Sequence, residues 1–477
     1  MVDQSVAFLG GIDLAYGRYD TPEHVISDPC DLCPTWPGND YNNSAVQDLW
    51  NSHNTAPPQG YIDRLRYPRM PWHDIAIAVD GDAAADVAWN FIQRWVHHAR
   101  EMELDAPHIR PASHLQCPDP EAISVSKLWG TNNNNADGKE KEKVNEGINN
   151  GVAEIKCQVV RTIGEWSGGY RREHSYEEAI ASAILGAESF VYIENQFFTS
   201  LAGHMHNHIG QALLVRLRRA IRGGESFRVI VLIPAHPEGV LDSPNVLRTL
   251  DYEYETICRT ERSLFGTLLA EFPDVSLRRF IFFGSLRNWG RLLPGDIAGQ
   301  PVVQNMIYVH SKLLIADDRV AVVGSANIND RSLQGDRDSE IGVVVRSEAF
   351  VRAIRVQLWT EHLAPRTPEE VAAVAEGGGA AGEAAFELFR RRARGNTEAY
   401  EKVFGNVFPS DNIRCLAQLN AHGWAQRNEL TPREAEEILA REVVGHCVEF
   451  PLRFLEQEDF SVSLLDKESI LDDKLYQ

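Results

Sequence analysis

Cysteine and long apolar runs are what this 477-residue chain has least of: its 7 cysteines are scattered and odd in number, and no signal peptide or long apolar run is found. Both scarcities fit a reduced, cytosolic setting. A chain of this length has core enough for two or three domains without a disulfide or a metal to hold them. Cys30 and Cys33 make a lone CxxC, too little for a zinc site. Cationic residues are also in the minority, 47 Lys and Arg against 68 Asp and Glu, for a formal net charge of -21. That balance excludes indiscriminate nucleic-acid binding by the chain as a whole. It also requires membrane docking to use local basic patches.

What the chain does have is concentrated between Ile307 and Glu340. Met306 to Ile315 is apolar enough for a buried strand, whose two-residue period puts Tyr308, His310, Lys312 and Leu314 on one face. Asp317 and Asp318 make a turn, Val320 to Val323 return as a second strand, and Gly324-Ser325 lets backbone come close to whatever His310 faces. Asn327 follows, then a charged loop ending in Asp338-Ser339-Glu340. This set suits attack on a phosphodiester without a metal. An imidazole can be nucleophile or proton donor near neutral pH, Lys312 and Asn327 can offset phosphoryl charge, and Glu340 can fix the tautomer of His310. Asp317 stands at a hairpin turn and is expected to hydrogen-bond turn backbone rather than move a proton.

Val309-His310-Ser311-Lys312 through Arg337-Asp338-Ser339-Glu340 resembles the second HKD motif of the phospholipase D superfamily. More narrowly, Tyr192-Ile193-Glu194-Asn195-Gln196-Phe197-Phe198 and Arg69-Met70-Pro71-Trp72-His73-Asp74 resemble the eukaryotic members that carry PX and PH domains upstream. The resemblance covers most of residues 2 to 363, and more weakly 400 to 454. It implies an α/β fold of two related lobes, each a mixed β-sheet flanked by helices. It also implies hydrolysis of phosphatidylcholine to phosphatidic acid and choline, or transfer to an alcohol, through a phosphohistidine. Glu194, Asn195 and Gln196 are then expected to line the cleft.

An internal repeat follows from the motif. With Gly10-Gly11 laid on Gly324-Ser325, Val6 to Leu9 falls on Val320 to Val323, Asp3 on Asp317 and Asp13 on Asn327. Gly17-Arg18-Tyr19-Asp20 then resembles the family's loop after its first motif. Partners of His310 and Lys312 would precede Met1, so the expectation is a first lobe truncated at its N-terminus. In the family the first-motif histidine is nucleophile and the second protonates the leaving alcohol, then activates water. By that carry-over this chain holds the acid and base but not the nucleophile, leaves Val6 to Leu9 as an unpaired apolar edge, and is inactive alone.

The expected organisation is a remnant first lobe at 1–117, a disordered insert at 118–152 with the charge run Lys139 to Lys143, and a second lobe at 153–363. A low-complexity linker at 364–399 and a segment packed on the body at 400–477 complete it. Within the lobes, Ala83 to Arg100 predicts an amphipathic helix, and Ser175-x-x-Glu178 a capping box. His73-Asp74 has the form of a dyad, but packing or turn duty is the favoured reading, and the alternating His204, His206 and His208 precede a helix, which disfavours metal ligation. Arg278, Arg279, Arg287 and Arg291 among Phe280, Phe282, Phe283 and Trp289 could meet anionic phosphoinositides, and Arg390 to Arg394 are a second basic run.

The leading expectation is therefore a cytoplasmic, peripheral membrane phospholipase D acting at a phosphatidylcholine surface. Its chemistry requires no metal or other cofactor, calcium dependence is not expected, phosphoinositides are candidate activators, an N-terminal half is a candidate partner, and nucleic acid is not. A single-motif homodimeric nuclease is a second reading, opposed by length, acidity and the remnant motif. A non-catalytic lipid-binding fragment is a third.

Overall fold

The computed structural model describes residues 4–28, 34–44, 62–101, 155–169, 171–203, 205–241, 243–292, 301–377, 380–405, 407–421, 429–458 and 460. Asp3, Cys30, Cys33, His204 and the insert at 118–152 lie outside them.

One large mixed sheet organises the chain, in the order β2-β9-β8-β7-β6-β10-β11-β12-β4-β5. At its centre, β6 (Phe190–Asn195) and β7 (Arg228–Leu232) run parallel and are buried along their whole length, as near-continuous apolar strands covered on both faces must be. Next to β7 lies β8 (Ile281–Arg291), whose far half overshoots β7 and pairs antiparallel with β9 (Val302–Val309). The two residues of β2 (Trp72–His73) run parallel to the end of β9, and β13 (Cys447–Glu449) pairs β8 as well. On the other side of β6 come β10 (Lys312–Ala316), β11 (Val320–Gly324), β12 (Glu340–Arg346), β4 (Lys156–Ile163) and β5 (Glu173–His174), all antiparallel.

Met306 to Ile315 is thus two strands, not one. The chain leaves β9 at Val309, carries His310 and Ser311 past the carboxyl ends of β7 and β6, and pairs again at Lys312 opposite Asn195. A crossing at the carboxyl ends of parallel strands is where α/β sheets open a crevice for ligand.

Helices cover both faces. On one lie α2 (Ser175–Gly186) and α3 (Ile209–Gly223), burying Ile180, Ile184, Leu213 and Leu217. On the other lie α5 (Glu348–Leu363) and the 25-residue α7 (Ala380–Phe404), burying Leu358, Trp359, Phe386 and Phe389. Between β7 and β8, α4 (Pro244–Tyr254) begins with proline in its first turn, and α6 (Pro368–Glu376) does the same between α5 and α7. The stretch expected as a linker at 364–399 is therefore helical and built into the core. Its Ala, Glu and Arg are strong helix formers, and Phe386, Phe389 and Ala393 recur at helical spacing. The expected capping box does not form either, because Ser175 Oγ instead accepts from the Arg161 amide at 3.0 Å.

Against the second face packs a small two-stranded sheet, β1 (Val6–Gly10) with β3 (Ala76–Asp80), followed by α1 (Gly81–Glu101). Ala7, Leu9 and Val79 share a core with Ala321, Val323 and Val343. The register repeats that of β11 and β12: Gly10 pairs Ala76 as Gly324 pairs Gly342, and the Gly11 and Ser325 amides donate to Ile75 O and Ile341 O. One half of the repeat is uncovered. β11 is flanked by β10 as well as β12, whereas no described strand pairs the other edge of β1. Phe8 is 49% exposed where its counterpart Val322 is 1% exposed. On α1, Ala84, Ala88 and Ile92 face inward while Phe91 and Trp95 are exposed.

Candidate active site

The crossing at His310 opens into a cavity of about 500 Å³ whose walls include Lys312, Gln196, Ser325, Asn327 and Glu340. His310 is the one histidine among its lining residues. The imidazole is held by residues 72–74, which lead from β2 towards β3. Its Nδ1 lies 2.8 Å from Asp74 Oδ2, its backbone N–H donates to His73 O at 2.7 Å, and its ring leans on the Trp72 indole with centroids 4.9 Å apart. A carboxylate only accepts, so the proton is on Nδ1 and Nε2 faces the cavity, where Asp13 Oδ2 is 3.9 Å away.

This corrects the expectation that Glu340 fixes the His310 tautomer. Glu340 is turned to Ser325 and Ser332, whose hydroxyls donate to its two oxygens. The register explains the exchange: with Gly10 on Gly324 and Ile75 on Ile341, Asp74 falls on Glu340. Each half of the repeat thus places a carboxylate at or just before the start of its second strand, and the one serving His310 comes from the opposite half. Burial pushes the Glu340 carboxyl up to about 7, against the pull of the serine hydroxyls.

Lys312 is buried, donates to His310 O at 2.6 Å and to Gln196 Oε1 at 3.1 Å, and burial pulls its ammonium down to about 8 despite Asp74 and Glu340. Asn327 lines the cavity, and its buried Oδ1 has no hydrogen-bond partner among the described residues. Gly324 and Gly11 allow close approach: a Cβ on Gly324 would lie 2.5 Å from Ile341 O, and one on Gly11 would lie 2.5 Å from both Asp74 Oδ1 and His310 O. Gly10 would meet Ile75 O in the same way.

Other expected site residues stand elsewhere. Asp317 accepts from the amides of Glu188, Ser189 and Phe190, clamping the entry to β6, which is backbone work as expected though for a neighbouring turn. Asn195 does not line the cleft; its Oδ1 accepts from the Phe197 and Ile328 amides. Glu194 is buried behind the site between His73 and His362, because the strand pleat turns it away from the cavity. Of the trio only Gln196 reaches the cavity. Asp20 accepts from Arg69, His24 and the Trp72 amide; burial raises its pKa, but His24 and Arg69 more than reverse that. Asp74, Ser332, Thr249 and Tyr252 were missed as cavity or partner residues. Asp74 lies two residues before β1's partner strand, beyond the reach of the sequence repeat.

Among the described residues, two groupings bring donor atoms within 4.8 Å, His24-His73-Glu361 and His73-Glu194-His362. Their nitrogens already face one another's carboxylates at 2.9 to 3.2 Å, which balances charge without an ion. The basic and aromatic stretch is divided: Arg278 and Arg279 are exposed, whereas Phe280, Phe282 and Phe283 are core, Arg287 is buried against Gln304 and Phe408 O, and Arg291 pairs Glu436. Arg390, Arg391, Arg392 and Arg394 pair with glutamates on a solvated helix face. No described helix is long and apolar enough to cross a membrane.

The site thus sets a buried imidazole, oriented by a carboxylate, beside a desolvated lysine. The family pattern for Phospholipase D matches residues 3–266 and 298–375, and the chain belongs to that family. It is 32% identical to Phospholipase D zeta 2 of Arabidopsis thaliana over 96% of this chain and 52% of that protein. Phospholipase D A of Dictyostelium discoideum is 36% identical over 76% of this chain and 26% of its own length, and Phospholipase D2 of Bos taurus 32% over 99% and 52%. The chain thus spans about half or less of the curated relatives it matches.

Proposed function

We propose that these residues form the acid–base half of a phospholipase D site that cleaves phosphatidylcholine at a membrane surface through a phosphohistidine. The observation that carries the reading is the Asp74–His310 pair, which leaves Nε2 aimed into the cavity. Displacement at phosphorus runs in line, so entering and leaving groups take opposite sides. A second imidazole attacks phosphorus, the P–O bond to choline breaks, and His310, entering as the imidazolium, gives its Nε2 proton to the departing alkoxide and keeps the Nδ1 proton against Asp74. Neutral His310 then takes a proton from water, whose oxygen attacks phosphorus as the P–N bond breaks. Lys312 and the Asn327 amide offset charge on the non-bridging oxygens, and the scheme routes no step through a metal or cofactor.

The second imidazole belongs where β10 stands in the other half of the repeat, on a strand pairing the open edge of β1. Glu340 is the carboxylate placed to orient it, as Asp74 orients His310. The test mixes the chain with a polypeptide supplying such a strand with a His-x-Lys sequence and measures choline release from phosphatidylcholine vesicles. Release on mixing, lost in His310→Ala, supports the reading. Turnover that survives His310→Ala overturns it.

A further inference from the structure

Behind the cavity lies a buried array that the chemistry above does not use: Asp20, His24, Glu361, His73, Glu194 and His362. His73 is its hinge. Nε2 of His73 lies 2.9 Å from Glu194 Oε2 and Nδ1 lies 3.2 Å from Glu361 Oε1. Neither carboxylate can donate, so both ring nitrogens carry protons and the ring is a cation. Burial opposes that charge, but Glu194 and Glu361 overcome it and raise His73 to about 10. Glu194, fully buried, also accepts from Tyr192 and from His362 Nε2, and His73 and His362 hold it well below the usual carboxylate range despite burial.

The same segment grips His310. The Trp72 amide donates to Asp20 at 2.7 Å, the His73 ring is clamped between β6 and α5, His73 O accepts the His310 N–H, and Asp74 meets Nδ1. Asp20 is tied in turn through His24, at 2.8 Å, to Glu361, at 3.0 Å. Anchors from the loop after β1, from β6 and from α5 thus converge on three residues.

We propose that His73 is a positioning residue: a buried imidazolium shared by Glu194 and Glu361 that locks the 72–74 segment so that Asp74 engages a single ring nitrogen of His310. The proposal rests on the phosphodiesterase reading for its purpose but not for its test. Ring-nitrogen NMR of the full chain labelled with ¹⁵N-histidine distinguishes imidazolium from each neutral tautomer; His73→Gln and His310→Ala assign the two signals. In the wild-type chain His73 shows two protonated nitrogens well above neutral pH, and neutral His310 shows only the form protonated on Nδ1. In His73→Gln, which keeps one amide donor but loses the charge and the second donor, the His310 signals move to the average of two tautomers while unfolding stays cooperative. Glu361→Gln, which frees one side of the ring, moves them the same way by less.

A singly protonated His73 at neutral pH overturns the proposal, as does a folded His73→Gln with His310 signals unchanged. If His73→Gln does not fold, the wild-type His73 signal and Glu361→Gln decide. Failure of the functional reading would leave these spectra intact and appear only as absence of hydrolysis.

Discussion

Asp74→Asn isolates the contact on which the acid–base assignment turns. The substitution keeps shape and burial but replaces the anionic acceptor 2.8 Å from His310 Nδ1 with an amide. A hydrogen bond to a charged group contributes roughly 1.5–3 kcal/mol. At about 1.4 kcal/mol per decade, losing it from the imidazolium side of proton transfer lowers the rate about 10- to 150-fold. The assay uses the chain completed by a His-x-Lys strand, with two substrates. Phosphatidylcholine expels an alkoxide that must be protonated; a p-nitrophenyl phosphodiester expels a stable anion that need not be. The expected result is the full loss for choline release and little loss in the first-turnover burst of nitrophenol, which precedes the water step. Equal losses on both substrates would refute the reasoning, because they would mean that Asp74 shapes the pocket rather than supports a proton donor. No loss on either would remove Asp74 from the account.

Glu340→Gln tests the buried carboxyl from the side of stability. With its pKa raised from 4.5 to about 7, the native state binds the extra proton between those values, so stability falls as pH rises through that window and the penalty is complete above it. The penalty is at most roughly 3 kcal/mol. Urea unfolding should show wild type losing ground to Glu340→Gln from pH 4.5 to 7, and parallel pH profiles would contradict this. Arg355→Met breaks a buried pair in which Nε and Nη2 meet Asp318 at 2.6 and 2.9 Å, far from the cavity. It should cost about 3–5 kcal/mol in the same unfolding assay, with partial recovery in Arg355→Met/Asp318→Asn. Gly11→Ala places a methyl 2.5 Å from Asp74 Oδ1; the reconstituted rate should fall at least as far as in Asp74→Asn while the β1–β3 pair still forms by amide exchange.

The His310-to-Glu340 string and its faint copy at Val6 to Gly11 were legible because a two-residue period, a turn and paired glycines leave local marks. Asp317 could be assigned to backbone work for the same reason. Asp74 could not be paired with His310 from spacing, since the contact joins residues 236 apart. Only the strand register, which lays β3 on β12, sets Asp74 against Glu340. Glu194 shows the opposite limit. A polar residue near the end of a strand reads as cleft-lining, but the pleat sends Gln196 to Lys312 and Glu194 to the buried histidines. The helices at 368–404 were hidden by composition: alanine, glycine and arginine look featureless until Phe386 and Phe389 are placed on one helical face.

The most direct test of the central claim asks which histidine carries phosphorus. In a reconstituted His310→Ala enzyme given a nitrophenyl phosphatidyl ester, attack can proceed but the water step lacks its base, so a phosphohistidine should accumulate. Peptide mapping by mass spectrometry should find it on the histidine of the supplied strand, and the wild-type enzyme trapped during turnover should carry none on His310. Phosphate on His310 would contradict the account.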